Sequence, residues 1–220
     1  MVMHVAFRLA SWLVAVVAFW MLLWAPVVLG QTAADQSPAA VEPGEQALGD
    51  PDAPVTVIEY ASLTCSHCAA FHNETLPALK ERYIDTGKVR LVYRDFPLDQ
   101  RALDAAAVAH CADPADYFTF LGVLFKNQAS WANAQDHIPA LVMLAKLGGL
   151  PEERVRACLA DQALLDGILR ERLTGQDEHD VRSTPSFVIG GETHAGNRPI
   201  EDQGDVEGFA SLIDPLLPEG

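Results

Sequence analysis

The chain reads as an α/β protein whose sheet comes from two separated pieces, a β-α-β half and a β-β-α half, with an all-helical domain inserted between them. Three observations predict this. A β-branched, mostly apolar run, Val55-Thr56-Val57-Ile58-Glu59-Tyr60, is followed by a turn, a helical stretch and a second run at 88–93. From 99 to about 180 the apolar residues recur at helical spacing, punctuated by Pro114, Gly148-Gly149 and Pro151. Two short β runs, 186–189 and 192–195, then flank Gly190-Gly191 and precede a last amphipathic helix. Strands joined through a helix should run parallel, and strands joined by a Gly-Gly turn should form an antiparallel hairpin. Together the halves predict a four-stranded sheet flanked by helices.

Taken in order, segment 1–30 carries His4 and Arg8 and then an uncharged apolar run, 9–29. It is a signal peptide or a membrane anchor. Val28 and Gly30 suit the −3 and −1 positions of a cleavage site, and cleavage after Ala33 or Ala34 is a second option. An uncleaved segment would instead be a membrane tether through residues 9–29. Either reading exports the rest of the chain. Residues 31–47 are rich in Ala, Pro, Gln and acids, lack an apolar period, and read as a flexible tether. The first half of the sheet domain spans 48–98, the helical insertion 99–180 and the second half 181–217.

Within the first half, the helix after Cys65 places Cys68, Phe71, Leu76, Leu79 and Tyr83 on one face. Pro77 lacks an N–H and predicts a kink or break, and Gly87 closes the segment. In the insertion the spacing predicts helices over 99–111, 115–128, 137–147, 151–159 and 162–178. Pro151 before Glu152 and Glu153 suits a helix start. The last helix, 205–217, aligns Val206, Phe209, Leu212, Ile213 and Leu216.

With 15 basic and 30 acidic residues, the formal net charge of -15 argues against nucleic-acid binding and against attraction to anionic membranes. The four cysteines are Cys65, Cys68, Cys111 and Cys158. An even count behind an export segment fits an oxidising compartment. Adjacent-turn geometry favours 65 with 68, leaving Cys111 and Cys158 as a structural disulfide stapling the insertion, worth roughly 2–4 kcal/mol.

Cys65-Ser66-His67-Cys68 carries the chemistry. A thiol at a helix start faces unpaired N–H groups and the positive end of the macrodipole, and both favour the thiolate. Cys65, nearer the start, is the expected nucleophile, and Cys68, one turn deeper, the resolving thiol. His67 is a candidate proton or N–H donor to Cys65. Glu59, six residues upstream in an otherwise apolar strand, is either a buried proton acceptor for the resolving thiol or a solvated strand residue. Two thiols are also half a metal site, but a closed site needs two further ligands at usable spacing, so no metal is expected. His72, His110, His137, His179 and His194 are scattered and read as surface or helix histidines. No phosphate loop, serine triad or nucleotide fingerprint is present, so no cofactor is expected.

In the order strand, CxxC helix, helical insert, Thr-Pro loop, hairpin and helix, the chain resembles the DsbA-type thiol–disulfide oxidoreductases of the thioredoxin superfamily. The matching residues are Glu59, Cys65-Ser66-His67-Cys68 and Thr184-Pro185, and the resemblance spans 48–217. It implies a thioredoxin fold with an all-helical insertion. It also implies a cis Thr184-Pro185 bond in a loop that lies against the cysteines and presents backbone groups to an extended substrate. The implied activity is oxidation of cysteine pairs in reduced or unfolded exported proteins in the periplasm, with a membrane quinone-linked reoxidase as partner. Ser66 departs from the Pro-His pair best known in the family. The direction of exchange therefore stays open between an oxidase and a reductase or isomerase of the same fold, with a thiol-based metal-binding module as the reading from another class.

Overall fold

The computed structural model describes residues 44–196 and 206–218. The apolar run at 9–29 and residues 31–43 of the expected tether lie outside the described residues. A mixed sheet organises the chain. Its strands are β1 (Gln46–Leu48), β2 (Val55–Ala61), β3 (Val89–Asp95), β4 (Ser186–Ile189) and β5 (Glu192–Ala195), in the order β1-β3-β2-β4-β5. The pair β2/β3 is parallel, from Val55 opposite Val89 to Ala61 opposite Asp95, and the other three pairs are antiparallel.

The sheet thus has five strands where the sequence predicts four. Gln46, Ala47 and Leu48 pair with Tyr93, Val92 and Leu91, so the end of the supposed tether is an edge strand. Three residues are too few for a periodicity to show, and what recruits them is the otherwise open edge of β3.

Helix α1 (residues 66–84) packs on one face of the sheet with the closing helix α8 (Val206–Ile213), which continues as a short turn at Asp214–Leu216. Their core holds Val57, Phe71, Leu79, Leu91, Phe187, Phe209 and Ile213. The break expected at Pro77 does not occur. The helix widens to π geometry at Phe71–Thr75 and Lys80–Ile84, and Pro77 sits in the first turn of the α segment between them, where its missing N–H is least costly.

The insertion contributes α2 (Gln100–His110), α3 (Tyr117–Lys126), α4 (Gln128–Ala132), α5 (His137–Leu147), α6 (Glu152–Leu159) and α7 (Gln162–His179). Aspartate caps set three starts. Asp99 accepts from the Ala102 N–H, Asp136 from that of Ile138, and Asp161 from those of Ala163 and Leu164. The short α4 was not expected as a separate helix, because the apolar pattern of α3 runs into it. Trp131 fixes it there, fully buried with Nε1 donating to the Leu124 carbonyl at 2.9 Å. Cys111, just past α2, and Cys158, in the last turn of α6, are joined by a disulfide with Cα atoms 6.2 Å apart.

Helix α7 covers the second face of the sheet. It approaches so closely that a Cβ on Gly175 would lie 2.6 Å from Cε1 of Tyr60. A polar network completes the junction. The Asp95 N–H donates to Oε2 of Glu171 at 3.0 Å, Arg94 donates to Oε1 at 3.1 Å, and His110 Nε2 meets Asp95 Oδ2 at 2.7 Å. Burial, then the neighbouring Asp95 charge, pushes Glu171 up to about 7.

Two outcomes are expected. Gly175→Ala should destabilise the fold by about 1–3 kcal/mol in urea unfolding, since the added Cβ would meet Tyr60, which is buried against Phe96 and His179. Folded Glu171 keeps its proton up to about 7, whereas an unfolded glutamate releases it near 4.5. Its contribution to stability is therefore complete below that lower value and lost as pH rises through the higher one. Unfolding midpoints across this window should fall in the wild type and flatten in Glu171→Gln.

Candidate active site

Strand β2 delivers the chain to a tight loop, 62–65, ahead of α1. The Ser62 hydroxyl oxygen accepts from the Thr64 and Leu98 N–H groups, and the Thr64 hydroxyl donates to Asp99 at 2.9 Å. Gln128 of α4 reaches across from the insertion, its amide donating to the Leu63 and Cys65 carbonyls at 2.8 and 2.9 Å. Gln128 was missed at the sequence level. A polar residue in a helical block carries no sign of a partner about sixty residues away.

Cys65 is the N-cap of α1, with φ −80° and ψ 120°. It is partly exposed, and its Sγ lies 3.2 Å from the Thr184 carbonyl. Its pKa is lowered to about 5. The largest cause is a hydrogen bond from the Cys68 thiol. Burial opposes this, and the Thr184 hydroxyl and the backbone N–H groups of Cys68 and His67 add to it. The buried Thr184 hydroxyl has no hydrogen-bond partner among the described residues, which leaves its proton available to a thiolate at Cys65. His67 acts through its backbone; its side chain is exposed.

Cys68 is the opposite case. It is 0% exposed, and burial, then the bond and charge of Cys65, then the charge of Glu59, hold its thiol well above the usual range. One thiol is therefore ready to attack or leave as an anion, while the other holds its proton.

The Thr184-Pro185 bond is cis, at the entrance to β4. Pro185 is buried and its carbonyl accepts from the Gly196 N–H at 2.7 Å, so that group is already engaged within the chain. Thr184 is the member of the loop that faces the cysteines.

Glu59 is 0% exposed, which excludes the solvated alternative. Nε2 of His72 lies 3.1 and 3.0 Å from its two oxygens. This corrects the grouping of His72 with scattered surface histidines. Its ring stacks on Phe125 at 4.1 Å between centroids and meets Tyr93 edge-on at 5.8 Å. Two signals in the sequence could have found it: His72 follows Cys68 by one helical turn, and Glu59 is a lone acid in an apolar strand needing a partner. Among the described residues no group of three or more His, Cys, Asp or Glu is placed to hold a metal ion.

The contrast between the thiols can be measured. The ultraviolet absorbance of thiolate in the reduced chain should titrate near 5, and Cys65→Ala should abolish that step. Because an unfolded cysteine ionises near 9, the reduced fold should gain stability over the oxidised one as pH rises across this window. That gain is lost as pH falls through about 5. Unfolding of both redox forms across the range tests the sign.

A family model described as thioredoxin matches residues 41–214. The chain is 32% identical over 180 residues to a putative protein-disulfide oxidoreductase of Rickettsia felis, a match covering 81% of this chain and 62% of that one. The chain thus spans about three fifths of the length of that relative. It is 38% identical over 155 residues to a probable disulfide bond formation protein D of Bacillus cereus, covering 67% of this chain and 70% of the relative. Among solved structures, alpha-DsbA1 of Wolbachia pipientis superposes with a TM-score of 0.70 at 35% identity, over 79% of this chain and 91% of that one. A family match over most of the chain, together with that likeness in sequence and structure, makes this chain a member of the thioredoxin family, in its DsbA-type branch of thiol–disulfide oxidoreductases.

Proposed function

We propose that the chain is an exported enzyme that introduces disulfide bonds into reduced exported proteins through the Cys65–Cys68 couple. The observation that carries this is the placement of Cys65 at the N-cap of α1 with Sγ 3.2 Å from the Thr184 carbonyl, a setting that lowers its pKa to about 5. A stabilised thiolate stabilises the reduced form, and a stable reduced form makes the disulfide an oxidant.

In the oxidised protein a substrate thiolate attacks Sγ of Cys65. The Cys65–Cys68 bond breaks as the mixed disulfide forms, and Cys68 leaves as a thiolate. Its high proton affinity draws in a proton, and the buried Glu59 is the acid–base group that hands it on. The second substrate thiolate then attacks the substrate sulfur of the mixed disulfide and releases Cys65 as its stabilised thiolate. Two electrons have passed from the substrate dithiol to the couple. Thr184 orients the substrate segment beside Cys65 and, with the helix-start N–H groups that include that of His67, holds the departing anion. Buried Pro185 braces that loop.

In this reading segments 48–98 and 181–217 form the redox site, 99–180 roofs it, and the Cys111–Cys158 disulfide staples the roof. Residues 1–30 direct export to the periplasm, with 9–29 as a membrane tether if they are retained. Among the described residues no helix is long and apolar enough to cross a membrane. A membrane quinone-linked protein returns the reduced couple to its disulfide.

Equilibration with glutathione tests the direction. An oxidase should have a midpoint above about −180 mV, toward the −120 mV of the strongest oxidants of this kind. A midpoint near −270 mV, with fast reduction of insulin disulfides, would make the chain a reductase instead.

A further inference from the structure

The redox cycle carries Cys68 between a disulfide sulfur and a protonated thiol, so a proton must enter and leave its surroundings. Both Cys68 and Glu59 are 0% exposed, and Glu59 therefore cannot exchange with water directly. The His72 side chain, bonded through Nε2 to both Glu59 oxygens, is also buried but retains 3% exposure where Glu59 has none. Phe125 behind the ring and Tyr93 against its edge hold it in that orientation.

The titratable groups around His72 come from several elements. Glu59 faces it from β2 and Tyr93 from β3, Cys68 lies four residues before it on the same helix, and Tyr117 of α3 is behind Tyr93 at 6.1 Å between ring centroids. Phe125 adds no charge. Burial keeps Tyr93 and Tyr117 protonated, so neither accepts a proton from the carboxyl.

We propose that His72 is the residue through which the Glu59 carboxyl exchanges its proton with solvent, serving the resolving thiol at one remove as a positioning and proton-transfer residue. The proposal rests on the Cys65–Cys68 redox reading and deepens it. When the Cys65–Cys68 bond is cleaved by an external thiolate, the Cys68 thiolate takes up a proton that enters from water through His72 and Glu59, leaving Glu59 as the carboxylate that faces the neutral thiol. When Cys68 attacks a mixed disulfide on Cys65, the same proton travels outward.

The test is reduction of the oxidised full chain by dithiothreitol across about pH 5 to about pH 9, followed by thiol trapping. Wild type is compared with His72→Phe, which keeps the stack on Phe125, with His72→Gln, which keeps an N–H for Glu59 but carries no proton, and with Glu59→Gln. Both His72 variants should slow reduction by about tenfold or more and flatten its pH dependence. His72→Phe combined with Glu59→Gln should be no slower than Glu59→Gln alone. A wild-type rate and pH profile in His72→Gln would reduce His72 to a structural role and overturn the proposal. So would losses that multiply in the double variant. If His72→Phe does not fold, His72→Gln decides alone. If the wild-type couple accepts no electrons from a dithiol, it is the redox reading that fails, before any variant is compared.

Discussion

The pairing of β2 with β4 is the constraint on which the rest of the molecule depends. Tyr60 lies opposite Ser186 at the end of that ladder, so each strand terminus is held where its partner's begins. The loop after β2 carries Cys65, and the loop before β4 carries Thr184. One register therefore brings the Cys65 sulfur within 3.2 Å of a carbonyl 119 residues away. A slip by one residue would turn every side chain of β4 to the opposite face and carry Thr184 away from the thiol.

Once that register is set, the two cysteines part company by position alone. Cys65 sits at the first turn, where unpaired N–H groups and a neighbouring thiol proton favour an anion. Cys68, one turn deeper, meets the apolar core and a carboxylate, both of which favour the neutral thiol. Side chains of the same type thus differ in proton affinity, one favouring the anion and the other the thiol. The insertion belongs to the same arrangement. Gln128 clamps the carbonyls ahead of the helix, and Phe125 presses His72 toward Glu59. The helical block therefore shapes the site as well as covering it.

Much of this was legible in the residues. The β-branched run at 55–60, the glycine pair at 190–191 and the proline and aspartate boundaries of the insertion announce their elements locally, because capping and turn geometry act over a few residues. The strand at 46–48 escaped because three residues hold no period, and its partner edge comes from β3, more than forty residues on. Around Pro77 the helix continues without a break, and it leaves α geometry for π turns on either side. Gln128 and His72 escaped because their partners are set by packing between separate elements.

By itself the sequence determined the order of elements and the helix-start position of the cysteines, both consequences of short-range backbone chemistry. It also marked Glu59 as an acid out of place. The tertiary structure alone decided what surrounds them: the Thr184 carbonyl and hydroxyl beside Cys65, the full burial of Cys68, and the imidazole that closes on Glu59. The reason is physical. Proton affinity answers to charges and solvent within a few ångströms, and those neighbours come from strands and helices that only the fold brings together.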